Sequence, residues 1–139
     1  MITVSATHAI RIECEDDIIK VRRRVRDIAE LCNFDSFATS AITTAASELA
    51  RNALVHGGKG HATIEEVSRS DGYRCGIRIL FEDEGPGIAD IPRVLAGGVT
   101  TSRSMGLGLS GSRRLVDDFE LESTVGSGTK VTVTKWKRF

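Results

Sequence analysis

Two alternating segments joined by a tight-turn dipeptide constrain the fold of this chain more than any other feature. The segments read HATIEEVSRS and YRCGIRILFED, and Asp71 and Gly72 lie between them. An Asp-Gly pair supplies the positive φ angles of a two-residue hairpin turn, and alternation of apolar residues with period two is typical of a half-buried strand. The sequence therefore predicts an antiparallel hairpin against which the rest of the chain packs.

The second strand of this hairpin carries an aspartate on its apolar face. Side chains two residues apart share a face of a strand, so Asp83 continues the face of Ile79 and Phe81. A buried charge without partners is costly, so Asp83 needs hydrogen-bond donors. The following residues place Gly85 and Gly87 around a proline, which leaves the backbone open to close approach by a ligand. Asp83 is therefore either a ligand-binding residue or an acid that only holds this turn.

Two helices are predicted before the hairpin. Residues 8–14 alternate as a first strand, and the stretch after them places apolar side chains on one helical stripe: Ile18, Val21, Val25, Ile28 and Cys32. The opposite face of this helix is basic and is either a solvated surface or a docking surface for an acidic partner. The second helix is expected to be capped by Asp35 or Ser36 and to stop at Gly57 and Gly58.

The second helix carries a carboxylate and an amide one turn apart. Glu48 and Asn52 are separated by four residues, so they share one helical face, which also holds Ala41 and Ala45. They are either an exposed polar pair or two members of a site beside the apolar stripe.

The order of the elements indicates the fold class. Residues 109–118 predict a helix, and the segments FELESTV and TKVTVTKW alternate as two further strands. The order strand, helix, helix, hairpin, loop, helix, hairpin predicts an α+β fold, with helices packed on one face of a mostly antiparallel sheet. The chain has 139 residues and no linker-like segment, so we expect residues 1–139 to form one domain.

Charge, cysteine content and hydropathy exclude several kinds of function. The formal net charge is zero, which argues against a nucleic-acid partner. The three cysteines form neither a C-x-x-C motif nor a Cys/His pair, so neither a disulfide framework nor a zinc site is expected. The first 14 residues show no basic segment followed by a long apolar stretch, and no run of about 18 apolar residues occurs in the sequence. We therefore expect a cytoplasmic protein without membrane contact.

The segment GLGLSG, residues 106–111, matches the G-x-G-x-x-G spacing of dinucleotide-binding turns. Such a turn follows a strand in a βαβ unit. Here the preceding residues 96–105 are rich in Gly, Ser and Thr and predict a mobile loop. The glycines are thus expected to end a loop and begin a helix, which argues against a Rossmann site.

Four segments resemble, in order, the motif boxes of the GHKL ATPases, which share the Bergerat nucleotide-binding fold. They are ELARNALVH at residues 48–56, DEGPG at 83–87, SMGLGL at 104–109 and GSGT at 126–129. One such box could arise by chance, but four in the family order rarely coincide. The resemblance implies a two-layer α/β sandwich that binds ATP and Mg²⁺.

The resemblance also implies roles for single residues. Asp83 would accept a hydrogen bond from the adenine amino group, Asn52 would bind ATP through Mg²⁺, and Glu48 would be the catalytic base for an attacking hydroxyl. The other expected ATP-binding residues come from the later boxes: Gly85, Gly87, Gly106, Leu107, Gly108 and Thr129. Arg103 either steadies the γ-phosphate or is a solvated loop arginine.

Within this family, the short chain most resembles the switch serine/threonine kinases of the bacterial stressosome. That resemblance implies phosphorylation of STAS-domain scaffold or antagonist proteins and, after release, activation of a PP2C-type phosphatase. The alternative is an anti-sigma factor with kinase activity on an anti-anti-sigma STAS protein. A histidine kinase is disfavoured, because no helical pair with a phosphoacceptor histidine precedes the boxes.

Overall fold

The computed structural model describes residues 1–69, 74–96 and 103–137, and for residues 103–108 the backbone alone. These residues form five strands and four helices. In chain order they are β1 Ile2–Ile12, α1 Glu15–Leu31, α2 Ser36–Val55, β2 Gly60–Arg69, β3 Cys75–Asp83, α3 Ile91–Ala96, α4 Arg103–Leu115, β4 Asp118–Thr124 and β5 Gly128–Trp136. No helix in these ranges is long and apolar enough to cross a membrane.

The strands form one antiparallel sheet in the order β1-β2-β3-β5-β4. The predicted pairing of β2 with β3 is confirmed, while its turn at Asp71 and Gly72 lies outside the described residues. Because β3 is the central strand, its last residue, Asp83, is flanked by Gly60 of β2 and Thr129 of β5. The end of β3 is therefore enclosed on both sides by neighbouring strands.

The helices α1 and α2 cover one face of the sheet and build the core with it. Fully buried side chains come from both layers: Ile12, Val21, Val25, Ile42, Leu49, Ile64, Ile77, Ile79 and Val133. The opposite face carries charged pairs such as Arg78 and Glu65, whose Nε and Oε1 atoms lie 2.6 Å apart. The predicted α+β architecture, with helices on one face of an antiparallel sheet, is confirmed.

Capping residues explain where the two long helices begin. The Asp35 carboxylate accepts a hydrogen bond from the Ala38 amide at 2.7 Å, as expected of an N-cap. At the start of α1, the Asp17 carboxylate accepts bonds from the backbone amides of Glu13 and Cys14. The helix α2 ends at Val55, and its C-cap residue His56 directly precedes the predicted Gly57-Gly58 stop.

Several predicted boundaries differ from the structure. β1 begins six residues earlier than expected, because this edge strand is largely exposed and lacks a clear apolar alternation. Cys32 is the C-cap of α1, where it still packs against the core as its place on the stripe predicts, and Ala29 is buried in addition to the predicted residues. The six-residue helix α3 was not predicted, since so short a segment shows no helical periodicity.

The most consequential difference concerns the glycine-rich segment. The predicted loop through Met105 is wrong at its end, because α4 already begins at Arg103. Glycines lower the intrinsic helix propensity of this stretch, so its helical state depends on packing, and α4 does pack on α2. Residues 97–102 of the predicted loop lie outside the described residues.

Candidate nucleotide-binding site

A pocket lies where α2, α4 and the end of β3 meet. Its walls are mainly apolar. Among the described residues, its four polar side chains are Asn52 of α2, His56 at the C-cap of α2, Asp83 of β3 and Thr129 of β5. The principal lining residues are Leu49, Asn52, His56, Phe81, Asp83, Ile88, Leu109, Thr129 and Val131. An apolar cleft with a few convergent polar groups is the usual form of a small-molecule site.

Asp83 is the acidic group of this pocket. Its Oδ1 accepts a hydrogen bond from the Gly85 backbone amide at 2.9 Å. Burial raises the pKa of this carboxyl group above its ordinary value, while the backbone amides of Gly85 and Thr129 and the nearby His56 act in the opposite direction. Burial likewise lowers the pKa of His56. The partly buried carboxylate can accept a further hydrogen bond from a ligand.

Asn52 is a buried amide in the same pocket. It is 9% exposed, and neither its Oδ1 nor its Nδ2 atom has a hydrogen-bond partner among the described residues. An unsatisfied buried polar group costs about 1–3 kcal/mol, so natural proteins seldom keep one without a purpose. The amide is therefore suited to a ligand or metal ion that enters the pocket, and its neutral oxygen fits a hard cation such as Mg²⁺.

Glu48 lies one helical turn before Asn52 but borders a different surface. It lines a groove between α1 and α2, together with Arg22, Arg26 and several hydroxyl side chains of α2. The structure thus brings Asn52 and Asp83 together in the pocket and places Glu48 in the solvent-facing groove next to it. A group bound in the pocket and a second molecule in the groove could approach one another across this turn of α2.

The loop after Asp83 is held against the β4–β5 turn. The Gly126 amide donates to the Pro86 carbonyl at 2.8 Å. Gly87 has a φ of 78°, and a Cβ atom there would collide with the carbonyl oxygen of Thr124. A Cβ at Gly85 would lie 2.6 Å from the Gly57 Cα atom. Gly85 and Gly87 therefore allow close packing around Asp83, which a larger residue would prevent.

The residues expected in the glycine lid are placed by the backbone of α4. Only the first four amides of a helix, counted from its N-cap, lack a carbonyl partner within it. The amide of Thr39, the fourth residue of α2, already donates to the Asp35 carbonyl, so the unpaired amides end with the third residue of a helix. In α4, which begins at Arg103, that third residue is Met105, and Gly106, Leu107 and Gly108 follow it. The expectation that all three glycine-box amides open the helix is therefore corrected. The side chain of Arg103 lies outside the described part of the chain.

Sequence reasoning missed Ser123, a residue of β4 that borders this site. Its hydroxyl lies 2.9 Å from the hydroxyl oxygen of Thr129. A serine in an alternating strand carries no signal by itself. Only the pairing of β4 with β5 brings Ser123 beside Thr129.

Comparison with known proteins agrees with this geometry. Residues 38–138 match the family described as histidine kinase-, DNA gyrase B- and HSP90-like ATPases. The match covers most of the chain, so this protein belongs to that family. Membership indicates that the chain uses ATP.

Individual relatives come from two groups of regulatory proteins. The chain is 43% identical over 129 residues to the serine/threonine-protein kinase RsbT of Bacillus subtilis (strain 168), covering 93% of this chain and 96% of that protein. It is 34% identical over 100 residues to an anti-sigma F factor of Thermoanaerobacter sp. (strain X514), covering 68% of each chain.

Solved structures share the fold. The RsbU and RsbW domains of Rv1364c from Mycobacterium tuberculosis match with a TM-score of 0.65 and 20% identity, over 97% of this chain and 34% of that chain. The histidine kinase domain of the blue-light-activated kinase EL346 from Erythrobacter litoralis matches with a TM-score of 0.52 and 19% identity, over 86% of this chain and 59% of that chain. At these identities the likeness concerns the fold alone.

Proposed function

We propose that this protein is a serine/threonine-protein kinase that transfers the γ-phosphoryl group of ATP to a hydroxyl of a partner protein. The observation that carries the proposal is the arrangement of α2. Asn52 lines an apolar pocket with Asp83, and Glu48 lines an open groove one turn away. A nucleotide in the pocket and a protein segment in the groove would meet at this helix. The 43% identity to RsbT over nearly the whole chain supports the same reading.

The pocket residues account for recognition of ATP. Asp83 accepts a hydrogen bond from the adenine amino group, and the apolar walls enclose the base. Asn52 supplies its amide oxygen to Mg²⁺, which would neutralise charge on the phosphates during transfer. The helix α4, which packs on α2, begins at Arg103, so its N-terminus is suited to the phosphate tail. The amides of Gly106, Leu107 and Gly108 would reach the phosphates only if the first turn of α4 opened.

Glu48 is assigned the proton transfer. The oxygen of the substrate hydroxyl forms a bond to the γ-phosphorus, the bond from that phosphorus to the bridging oxygen of ATP breaks, and ADP leaves. The hydroxyl proton passes to the Glu48 carboxylate. Such a base typically contributes a rate factor of about 10²–10⁴.

STAS-domain scaffold or antagonist proteins are the proposed substrates, and a PP2C-type phosphatase is the proposed downstream partner. The second candidate function is an anti-sigma factor with kinase activity, which the 34% identity to an anti-sigma F factor favours. A cytoplasmic location, where ATP is available, completes the proposal.

Two measurements test the proposal. Single-turnover assays would follow labelled γ-phosphate from ATP to a purified STAS-domain protein, with Glu48→Gln as the matched inactive variant. Pull-down with a STAS scaffold and, separately, with a sigma factor would distinguish the two candidates. Capture of a sigma factor without STAS binding would favour the anti-sigma function. Absence of transfer to any STAS protein, with ATP bound, would contradict the kinase assignment.

A further inference from the structure

The hydroxyl of Ser123 joins three segments that shape the nucleotide pocket. Its Oγ accepts a hydrogen bond from the Ile88 amide at 2.7 Å. The same oxygen lies 3.0 Å from the Gly128 carbonyl oxygen and 2.9 Å from the Thr129 hydroxyl oxygen. Ile88 and Thr129 both line the pocket, and Thr129 pairs with Asp83 across β3 and β5. One side chain from β4 thus contacts the loop after Asp83 and the start of β5.

The number of available hydrogens decides the direction of these bonds. A serine hydroxyl donates once, whereas a backbone carbonyl can only accept. The contact with Gly128 therefore requires the Ser123 hydroxyl to be the donor. The Ser123 oxygen already accepts from Ile88, and its remaining contact, with the Thr129 hydroxyl, must then be one in which Thr129 donates. Thr129 has no second hydroxyl hydrogen, so toward a ligand it presents only acceptor lone pairs.

We propose that Ser123 is a positioning residue that fixes the polarity of Thr129 and so makes the pocket selective for a 6-aminopurine. This inference rests on the proposed binding of ATP. The amino group of adenine offers hydrogen-bond donors, whereas the 6-oxo group of hypoxanthine or guanine is an acceptor. Asp83 and a Thr129 held as an acceptor both favour the amino group. If the Thr129 hydroxyl could turn freely, it would donate to a 6-oxo group equally well.

The test compares the affinities of ATP and ITP, which differ at the purine 6-position, for the full chain by calorimetric titration. In the unaltered protein, ATP is expected to bind more tightly than ITP. Ser123→Ala frees the Thr129 hydroxyl and removes the partners of Ile88 and Gly128. We expect the affinity for ATP to fall about tenfold in this variant and the affinity for ITP to stay nearly the same. The ratio of the ATP affinity to the ITP affinity then falls about tenfold, which is the scale of one hydrogen bond.

Two further variants separate polarity from general loosening of the loop. Ser123→Thr retains the hydroxyl and is expected to restore most of the ATP preference. Thr124→Ala removes an exposed hydroxyl at the end of the same strand, outside the GSGT segment, and is expected to leave both affinities unchanged. A purely structural role for Ser123 would weaken ATP and ITP equally, so an unchanged affinity ratio in Ser123→Ala would overturn the inference.

A third variant keeps the inference testable if Ser123→Ala does not fold. Thr129→Val preserves the shape of the side chain and removes its acceptor, so it must also lower the ratio of the ATP affinity to the ITP affinity. An unchanged ratio there would equally overturn the assignment. If the unaltered protein bound neither nucleotide, the proposed function itself would fail. Tight ATP binding with no change of ratio in the variants would refute only the role of Ser123.

Discussion

Replacing Asp83 with asparagine is expected to separate adenine recognition from the stability of the fold. The asparagine side chain has the same size and keeps one acceptor oxygen, which can still take the Gly85 amide that now lies 2.9 Å from Oδ1. Its NH₂ group replaces the second oxygen. The adenine amino group would then face another donor, and the Thr129 amide would lose the negative charge that now favours its hydrogen bond to this side chain.

The magnitude follows from this exchange of acceptor for donor. Leaving a buried donor without its acceptor costs about 1–3 kcal/mol, so we expect ATP binding to weaken by about 2 kcal/mol, or roughly 30-fold in Kd. Stability of the unliganded protein is expected to change little. Burial already opposes ionisation of Asp83, so removing the charge offsets the lost backbone contact. A shift of the melting temperature within about 4 °C corresponds to less than roughly 1 kcal/mol.

Calorimetric titration with ATP and thermal unfolding without nucleotide measure the two quantities independently. The reasoning would be refuted by an Asp83→Asn protein that has the melting temperature of the unaltered chain and binds ATP as tightly. Asp83 would then only hold the turn that precedes Gly85. A large loss of thermal stability would show instead that the carboxylate is needed for folding.

Four other outcomes are expected. Glu48→Gln should leave ATP affinity within a few-fold of the unaltered protein and slow single-turnover transfer about 100-fold, since it removes the base and not the nucleotide contacts; an unchanged rate would end that assignment. Asn52→Ala should weaken ATP binding in the presence of Mg²⁺ more than in its absence, as titrations with and without the ion would show. Gly87→Ala should destabilise the protein by about 2 kcal/mol or more in denaturant unfolding, because its φ is 78° and its Cβ would meet the Thr124 carbonyl. ATP affinity should fall as the pH decreases through the raised pKa of Asp83, because protonation removes its acceptor. This fall should occur at a higher pH than it would for an aspartate with an ordinary pKa. ATP titrations of Asp83→Asn across the same pH range should not show it.

Gly58 offers a matched control for the glycine prediction. Its φ is 81°, similar to that of Gly87, but a Cβ atom there would have no neighbour within 4 Å. Gly58→Ala should therefore show only the backbone strain, about 1 kcal/mol. Equal losses of stability in Gly87→Ala and Gly58→Ala would mean that the close contact of Gly87 with the β4–β5 turn does not add to the destabilisation.

The raised pKa of Asp83 also determines how this residue affects the pH dependence of the folding stability. The folded state binds the Asp83 proton more tightly than the unfolded chain does, because burial disfavours the charge. This group therefore stabilises the fold most below its ordinary pKa, and that contribution is lost as the pH rises through the raised value. Burial of the ionised carboxylate therefore costs some stability, as expected of a group kept for ligand binding.

Local patterns in the sequence determined much of the fold and several candidate site residues. The period-two alternation of β3 was sufficient to place Asp83 on the apolar face, because strand parity depends only on neighbouring residues. The spacing of Glu48 and Asn52 was likewise enough to put them one turn apart on α2. The order of the four motif boxes was sufficient to indicate the nucleotide-binding family, which the match over residues 38–138 confirms.

Tertiary structure decided what those residues face. Helical spacing alone could not show that Asn52 enters the pocket while Glu48 borders the groove beside α1, because that division depends on how α1, α4 and the sheet pack around α2. The helical start of α4 at Arg103 also depends on packing, since its glycines disfavour a helix locally. Ser123 lies beside Thr129 because β4 and β5 form a hairpin, but only the tertiary structure brings the Ile88 amide, 35 residues away in sequence, to its hydroxyl. Pairing between strands is set by contacts distant in sequence, and periodicity within one segment carries no record of them.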